Sequence, residues 1–272
     1  MPTQEKCRIL DHQKVGPRHY QLTLVSQYIS SHAAPGQFVQ VKCSDSNDPL
    51  LRRPISFHQI NPEHDTFSLL YEVVGKGSEL LTKYFVGEEL DVLGPLGTGF
   101  TIEPAKKVHI LVGGGMGVAP LSALAETLKG PGTRGQVPGK NAIYILLGAK
   151  NKECVQCEGE LKEAADQVVV STDDGSHGKK GLISDILLDL LDNTLAPGTW
   201  PLATIYACGP RPMLKAIAAI AAQKQIDCQL SMEERLACGI GACKGCAVKT
   251  ISGYKMVCKD GPVFDSREVV FT

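Results

Sequence analysis

The sequence predicts a multidomain chain of α/β plus β class. An antiparallel β-barrel comes first, a doubly wound parallel α/β domain second, and a small carboxyl-terminal domain built on cysteines last. Three changes of texture carry that expectation. Residues 1–102 are short β-forming runs broken by Gly, Pro and Asn-Pro turns; residues 103–228 repeat strand, glycine turn, helix; residues 229–272 hold Cys238, Cys243, Cys246 and Cys258 in close spacing. The length of 272 residues agrees, because about 150 residues is usual for one domain.

In the first segment the runs "HYQLTLVS", "GQFVQVKC", "TFSLLYEVV" and "EELDVLGPLG" alternate or cluster β-formers between turn residues. Short strands at such spacing close into a small antiparallel barrel. In the second, "KVHILVGGGMGVAPLSALAETL" places apolar residues before the glycines and a helical period after them. "NAIYILLGAK" and "QVVVSTDD" read as buried strands, and "ATIYACGPRPMLKAIAAIAAQ" repeats the strand–turn–helix form. Strands alternating with helices imply a parallel sheet. The run "GPGTRGQVPGK" reads as a surface connection. The last segment is too short for a large core of its own, so a metal centre would help it fold.

Bulk properties exclude several function classes. The hydrophobic fraction is 43%, the charged fraction 21% and the net charge −1, so a basic footprint for nucleic acid is missing. The polar start "MPTQEKCRILDHQ" lacks a signal-peptide core. Val108 to Leu128 is apolar, but His109, Glu126 and its glycines suit a strand–turn–helix better than a membrane span. A cytoplasmic protein without membrane attachment is expected. In such a compartment the ten cysteines are not disulfides. Cys7, Cys43 and Cys228 read as small buried apolar residues, and the isolated Cys154-x-x-Cys157 gives little reason for a redox or metal role.

Five motifs can carry chemistry. In "LRRPISFH", Arg53, Pro54, Ile55 and Ser56 bring a guanidinium and a hydroxyl to the end of an expected strand. A planar guanidinium suits phosphate, and Ser56 could donate to a ring nitrogen; an ordinary turn with a surface arginine explains the segment equally well. In "YEVVGKGSELL" a strand runs through Gly75, Lys76, Gly77 and Ser78 into a helix. Amides at such a helix start cradle anions, although Ser78 is also a good N-cap. Together the two motifs favour a phosphate-bearing cofactor on the barrel. "ILVGGGMGVAP" follows a strand and opens a helix, and Gly113, Gly114, Gly115 and Gly117 suit a pyridine-nucleotide phosphate. The G-x-G-x-x-G spacing fails at Val118, so the motif does not separate NAD from NADP. Cys208, Gly209 and Pro210 end a parallel strand at the ligand edge, where the cysteine meets a nicotinamide ring or is merely a buried thiol.

The fifth motif is the most specific. Cys238-x4-Cys243-x2-Cys246, followed by Cys258, has the C-x4-C-x2-C…C spacing of plant-type [2Fe–2S] sites. Gly239, Gly241 and Gly245 keep side chains clear of the sulfides. Structural zinc is the competitor, but zinc ribbons use two short cysteine knuckles. His58 and His177 lie near candidate sites, yet no hydrolytic constellation can be assembled from spacing.

With "RRPIS", "VVGKGSELL", "GGGMGVAPL", "STDDGSHGKKG", "ACGPRPML", "MEERLACGIGACKGCAVK" and "VCKDGPVFDSREVVF" in this order, nearly the whole chain resembles the ferredoxin–NADP reductase superfamily. Within it the chain is most similar to the iron–sulfur flavoprotein family that serves type B dihydroorotate dehydrogenases. Serine at 78 where threonine is common and the long "GPGTRGQVPGK" stretch are the departures. The resemblance implies an FAD barrel over 1–102, a pyridine-nucleotide domain over 103–228 and a [2Fe–2S] domain over 229–272. FAD would be held by Arg53 to Ser56, by Leu70, Tyr71 and Glu72, and by Gly77 and Ser78; the cluster by Cys238, Cys243, Cys246 and Cys258. It implies an oxidoreductase subunit without an acid or base of its own. Electrons would come from an FMN-containing dihydroorotate-oxidising partner, in a heterotetramer of two plus two, and pass through cluster and FAD to NAD+ in pyrimidine biosynthesis. A reductase subunit of a sulfide, ferredoxin or hydrogenase complex, and a metal-binding module without turnover, are the alternatives.

Overall fold

The computed structural model describes residues 1–130, 141–195 and 197–271. Six strands close the barrel: β1 (Thr3–Lys14), β2 (His19–Val25), β3 (Phe38–Val41), β4 (Arg53–Asn61), β5 (Thr66–Glu72) and β6 (Glu89–Leu96), in the order β1-β2-β5-β4-β3-β6. Strand alternation fills it from both sides, with Leu22, Leu24, Val39, Val41, Leu69 and Val92 all fully buried. Phe57 and Phe67 meet edge to face inside, 5.4 Å between centroids. Helix α1 (Gln27–His32) and helix α2 (Lys76–Leu81) lie in the connections.

The second sheet has seven strands. β7 (Val108–Gly114), β8 (Ala142–Ala149), β9 (Gln167–Thr172), β10 (Lys179–Lys180), β11 (Ala203–Cys208) and β12 (Asp227–Ser231) run parallel, and β15 (Val263–Asp265) closes one edge antiparallel to β12. Its order is β10-β9-β8-β7-β11-β12-β15. From β7 the chain adds β8 and β9 on one side and then crosses to β11 on the other. The topological switch point, where open α/β sheets bind ligands, therefore lies between β7 and β11. Helices α3 (Val118–Lys129), α4 (Glu158–Ala164), α5 (Ile183–Asp189) and α6 (Arg211–Lys224) cover the faces. The apolar stretch that raised a membrane question is β7 plus α3, and among the described residues no helix is long and apolar enough to cross a membrane.

The carboxyl-terminal segment is an excursion from the second sheet. It leaves after β12, forms the cysteine loop and the hairpin β13 (Ala247–Thr250) and β14 (Gly253–Met256), then returns as β15. The expected boundary at 228/229 thus falls inside β12. Cys246, Val248, Val257 and Cys258 share a core with Ile205, Leu230 and Phe264 of the sheet. A segment too short for a core of its own has joined its neighbour's.

Two local expectations need correction. Arg53 opens β4 instead of ending a strand, with Pro54 paired to Gln40 of β3. Ser78 is not the N-cap: Gly75 is, and Ser78 sits one turn in. The polar start of the chain, on which the sequence reading named no element, is a full barrel strand, β1. The "GPGTRGQVPGK" connection lies, after Gly130, outside the described residues.

Candidate functional site

Two motifs far apart in sequence meet on the barrel. β4 begins at Arg53, and α2 begins just after β5, so the guanidinium lies against the bare α-carbon of Gly77. A methyl group there would come within 2.4 Å of Arg53 Nε and 2.8 Å of Nη2. Nη1 is tied to the carbonyls of Leu51 (2.7 Å) and Arg52 (3.3 Å). Nε and Nη2 have no hydrogen-bond partner among the described residues. The first amides of a helix lack internal acceptors, and at α2 they adjoin this guanidinium. Ser78 supports the turn rather than the ligand: its Oγ accepts from the amides of Val74 (3.0 Å) and Gly75 (3.2 Å) and donates to the Gly75 carbonyl (3.0 Å). The cradle fits a pyrophosphate.

The other barrel candidates divide by face. Ile55 and Tyr71 point inward, and Tyr71 is hydrogen-bonded to His12 Nε2 at 2.9 Å and stacked on Tyr20 at 5.7 Å. Burial pushes its phenol far above the ordinary range. The Tyr71 side chain is therefore committed to the barrel, leaving its backbone for a cofactor. Leu70 faces the second domain, packed near Phe100 and Val118. Pro54, Ser56 and Glu72 remain partly or fully accessible, Glu72 beside Arg18 at 3.6 Å.

At the switch point the two nucleotide motifs touch. Cys208 of β11 is in register with Gly113 of β7. A methyl on Gly117 would fall 2.1 Å from the Cys208 carbonyl oxygen, and one on Gly114 would fall 2.6 Å from Met213 Sδ and 2.8 Å from Pro210 Cδ. Gly115, at φ 54°, faces open space. Glycines at 114 and 117 let the β7 turn press onto Cys208–Gly209–Pro210, and Gly115 leaves backbone exposed to a ligand. Cys208 stays a thiol, pushed up to about 12 by burial against a hydrogen bond with Ser231. Contact with a ring is open to it; nucleophilic attack at neutral pH is not.

The cysteine loop is arranged in pairs. Gly239 and Gly241 turn it at φ 73° and 82°, and Lys244 at 58°. Amides point at sulfur: Gly241 N to Cys258 Sγ at 3.1 Å, Cys243 N to Cys238 Sγ at 3.4 Å and Gly245 N to Cys243 Sγ at 3.5 Å. The Cys238 thiol interacts with that of Cys243, and the Cys258 thiol with that of Cys246. Among the described residues no three of these sulfurs lie within 4.8 Å of one another. A tetrahedral zinc would gather all four at about 3.8 Å, from a Zn–S bond of about 2.3 Å. A [2Fe–2S] rhomb takes two thiolates on each iron, a grouping these contacts suit. Burial raises the Cys238 thiol, but the amides of Cys243, Ile240 and Ala242 outweigh it and bring the group down to about 6. Cys258 is pushed up to about 12, first by burial and then by the Cys246 thiol. Cys246 and Cys258 are buried, whereas Cys243 and Ile240 are exposed. One iron would therefore sit near the surface.

A phosphate cradle on a barrel, glycine turns at an α/β switch point and a paired-cysteine loop define an iron–sulfur oxidoreductase of the ferredoxin–NADP reductase fold. Residues 233–270 match the family described as the iron–sulfur cluster binding domain of dihydroorotate dehydrogenase B, and residues 111–219 match the oxidoreductase NAD-binding domain. The electron transfer subunit of dihydroorotate dehydrogenase B (NAD(+)) from Desulforamulus reducens is 38% identical, the match covering 97% of each chain. Its counterpart from a Geobacillus species is 39% identical over 99% of this chain and all of its own. A solved chain of an NADH-dependent reduced ferredoxin–NADP oxidoreductase superposes with a TM-score of 0.82 at 30% identity, covering 98% of this chain and 90% of that one. A Neisseria gonorrhoeae ferredoxin–NADP+ reductase shares the fold alone, with a TM-score of 0.64 at 18% identity over 82% of this chain and 91% of that one. The chain belongs to the family of dihydroorotate dehydrogenase B (NAD(+)) electron transfer subunits.

Proposed function

We propose that this chain carries electrons from an FMN-containing, dihydroorotate-oxidising partner to NAD+ in pyrimidine biosynthesis, in a cytoplasmic complex of two plus two subunits. The observation that carries it is the two-by-two cysteine loop at the surface, on the same chain as a dinucleotide cradle and a nucleotide switch point. FAD, when bound, supplies the link between one-electron transfer at a cluster and hydride transfer at a nicotinamide. Cys238 and Cys243 would hold one iron, and Cys246 and Cys258 the other. Arg53 and the α2 amides beside Gly77 would neutralise the FAD pyrophosphate, while Ser56 presents its hydroxyl to the flavin. Gly113, Gly114, Gly115 and Gly117, with Cys208–Gly209–Pro210, would seat NAD+ at the sheet edge. The overall change is balanced: dihydroorotate loses two electrons and two protons, NAD+ gains hydride, and one proton is released.

A second reading, reduction linked to ferredoxin in another complex, is favoured by the similarity to the reduced ferredoxin–NADP oxidoreductase chain. Co-purification from the native host separates the two. We expect the captured partner to reduce this subunit with dihydroorotate and NAD+ to reoxidise it; a partner indifferent to dihydroorotate would support the second reading.

A further inference from the structure

Outside the electron route, three metal-ligand side chains converge between the barrel and the nucleotide domain. His58 lies on β4 and is fully buried. Glu160 is in the first turn of α4, and Cys157 is the N-cap of that helix. One ligand atom from each residue lies within 4.8 Å of the other two. His58 Nε2 is 3.1 Å from Glu160 Oε2, a contact that holds the Glu160 carboxyl below its usual range, and buried Nδ1 has no hydrogen-bond partner among the described residues.

The thiol comes from an unusual backbone. Cys157 adopts φ 62° and ψ 9°, a left-handed conformation that non-glycine residues rarely take. Strain of this kind persists where the surroundings over-determine it. Burial first and the Glu160 carboxylate second push this thiol up to about 12, with Ser122 of α3 opposing from within hydrogen-bonding reach, so a cation bound there would displace the thiol proton. Cys154, the other half of the C-x-x-C, is not in the group. Glu160 is half exposed and gives the site a route to solvent.

Nitrogen, thiolate and carboxylate together suit a borderline-soft divalent cation, and three protein ligands leave a fourth position for water. We infer that His58 Nε2, Cys157 Sγ and one Glu160 carboxylate oxygen form a zinc-class cation site that fastens the barrel to the nucleotide domain. It is separate from the cluster cysteines and needs neither bound flavin nor turnover.

The test uses the cofactor-loaded protein, exposed to Zn2+ and desalted, with zinc and iron measured together. About one zinc per chain with iron unchanged is expected, and roughly a tenfold or greater loss of zinc affinity in Cys157→Ser and Glu160→Gln. Both replaced side chains are at or near the surface of α4, so these variants keep the fold testable where a change at buried His58 might not. Zinc should also raise the unfolding temperature of the wild type and leave that of Cys157→Ser unmoved. Equal zinc in wild type and variants, or zinc gained only with matching loss of iron, would overturn the site.

Discussion

Single side chains divide here between those proposed to meet cofactors and those that shape the cradles. Arg53 and Gly77 act together, because the guanidinium occupies the space a methyl on Gly77 would take. Arg53→Ala should lower FAD retention on desalting by roughly tenfold or more, through loss of a charge-assisted contact. Gly77→Ala should also release FAD by displacing the guanidinium; flavin absorbance of the purified variants reads both. Gly117→Ala would drive a methyl into the Cys208 carbonyl. We expect weaker NADH binding and a stability loss of about 1–3 kcal/mol, typical of overpacking, measured by titration and by denaturant melts. The iron–sulfur domain was legible in the sequence because the spacing of cysteines reflects the geometry of the group such a loop holds. Ser78 was legible only as a helix-start residue: whether its hydroxyl meets a ligand or its own turn depends on which residue takes the N-cap. The group of His58, Cys157 and Glu160 was invisible, since His58 is far in sequence from Cys157 and Glu160 and meets them only when the two domains pack.

Strands and helices were read best where burial is strongly one-sided. The runs that became β2, β3, β5 and β6 carry alternating or clustered β-formers. β1 escaped notice because Cys7 and Ile9 are its only fully buried side chains among polar neighbours. β4 was obscured by Pro54, which removes a ladder donor and argues against a strand. β15 is three residues long and joins a sheet begun far upstream, so nothing local announces it. Within β7, His109 is fully buried beside Tyr206, and burial chiefly lowers its pKa to about 4. A folded value below the ordinary 6.5 means the neutral ring contributes stability above pH 6.5. That contribution is lost as pH falls toward 4, at about 1.4 kcal/mol per pH unit. Melts across pH 7 to 4 should show this loss, and His109→Gln should flatten it. An unchanged slope in the variant would show that other groups govern the acid side.

Across the whole molecule, the carboxyl-terminal excursion places the cysteine loop against the barrel. A side chain at Gly239 would strike Gln40 of β3, at 2.7 Å from its Cγ. Gln40 is fully buried, so the loop and the barrel wall are in direct contact. The loop's outer side bears exposed Cys243 and Ile240. An exposed apolar residue beside an electron port suits a partner surface. Ile240→Lys should weaken assembly with the catalytic partner by about tenfold or more while leaving cluster absorbance intact, as analytical gel filtration of the mixed subunits would show. Full-length assembly at unchanged affinity would move the partner surface elsewhere.

The relay is tested most directly with Cys243→Ala reconstituted with the dihydroorotate-oxidising partner. Removing one thiolate should prevent cluster assembly while the barrel still binds FAD. We expect NADH to bleach the flavin as in the wild type, and dihydroorotate-driven formation of NADH to disappear. Continued NADH formation from dihydroorotate in that variant would contradict an electron path through the cysteine loop.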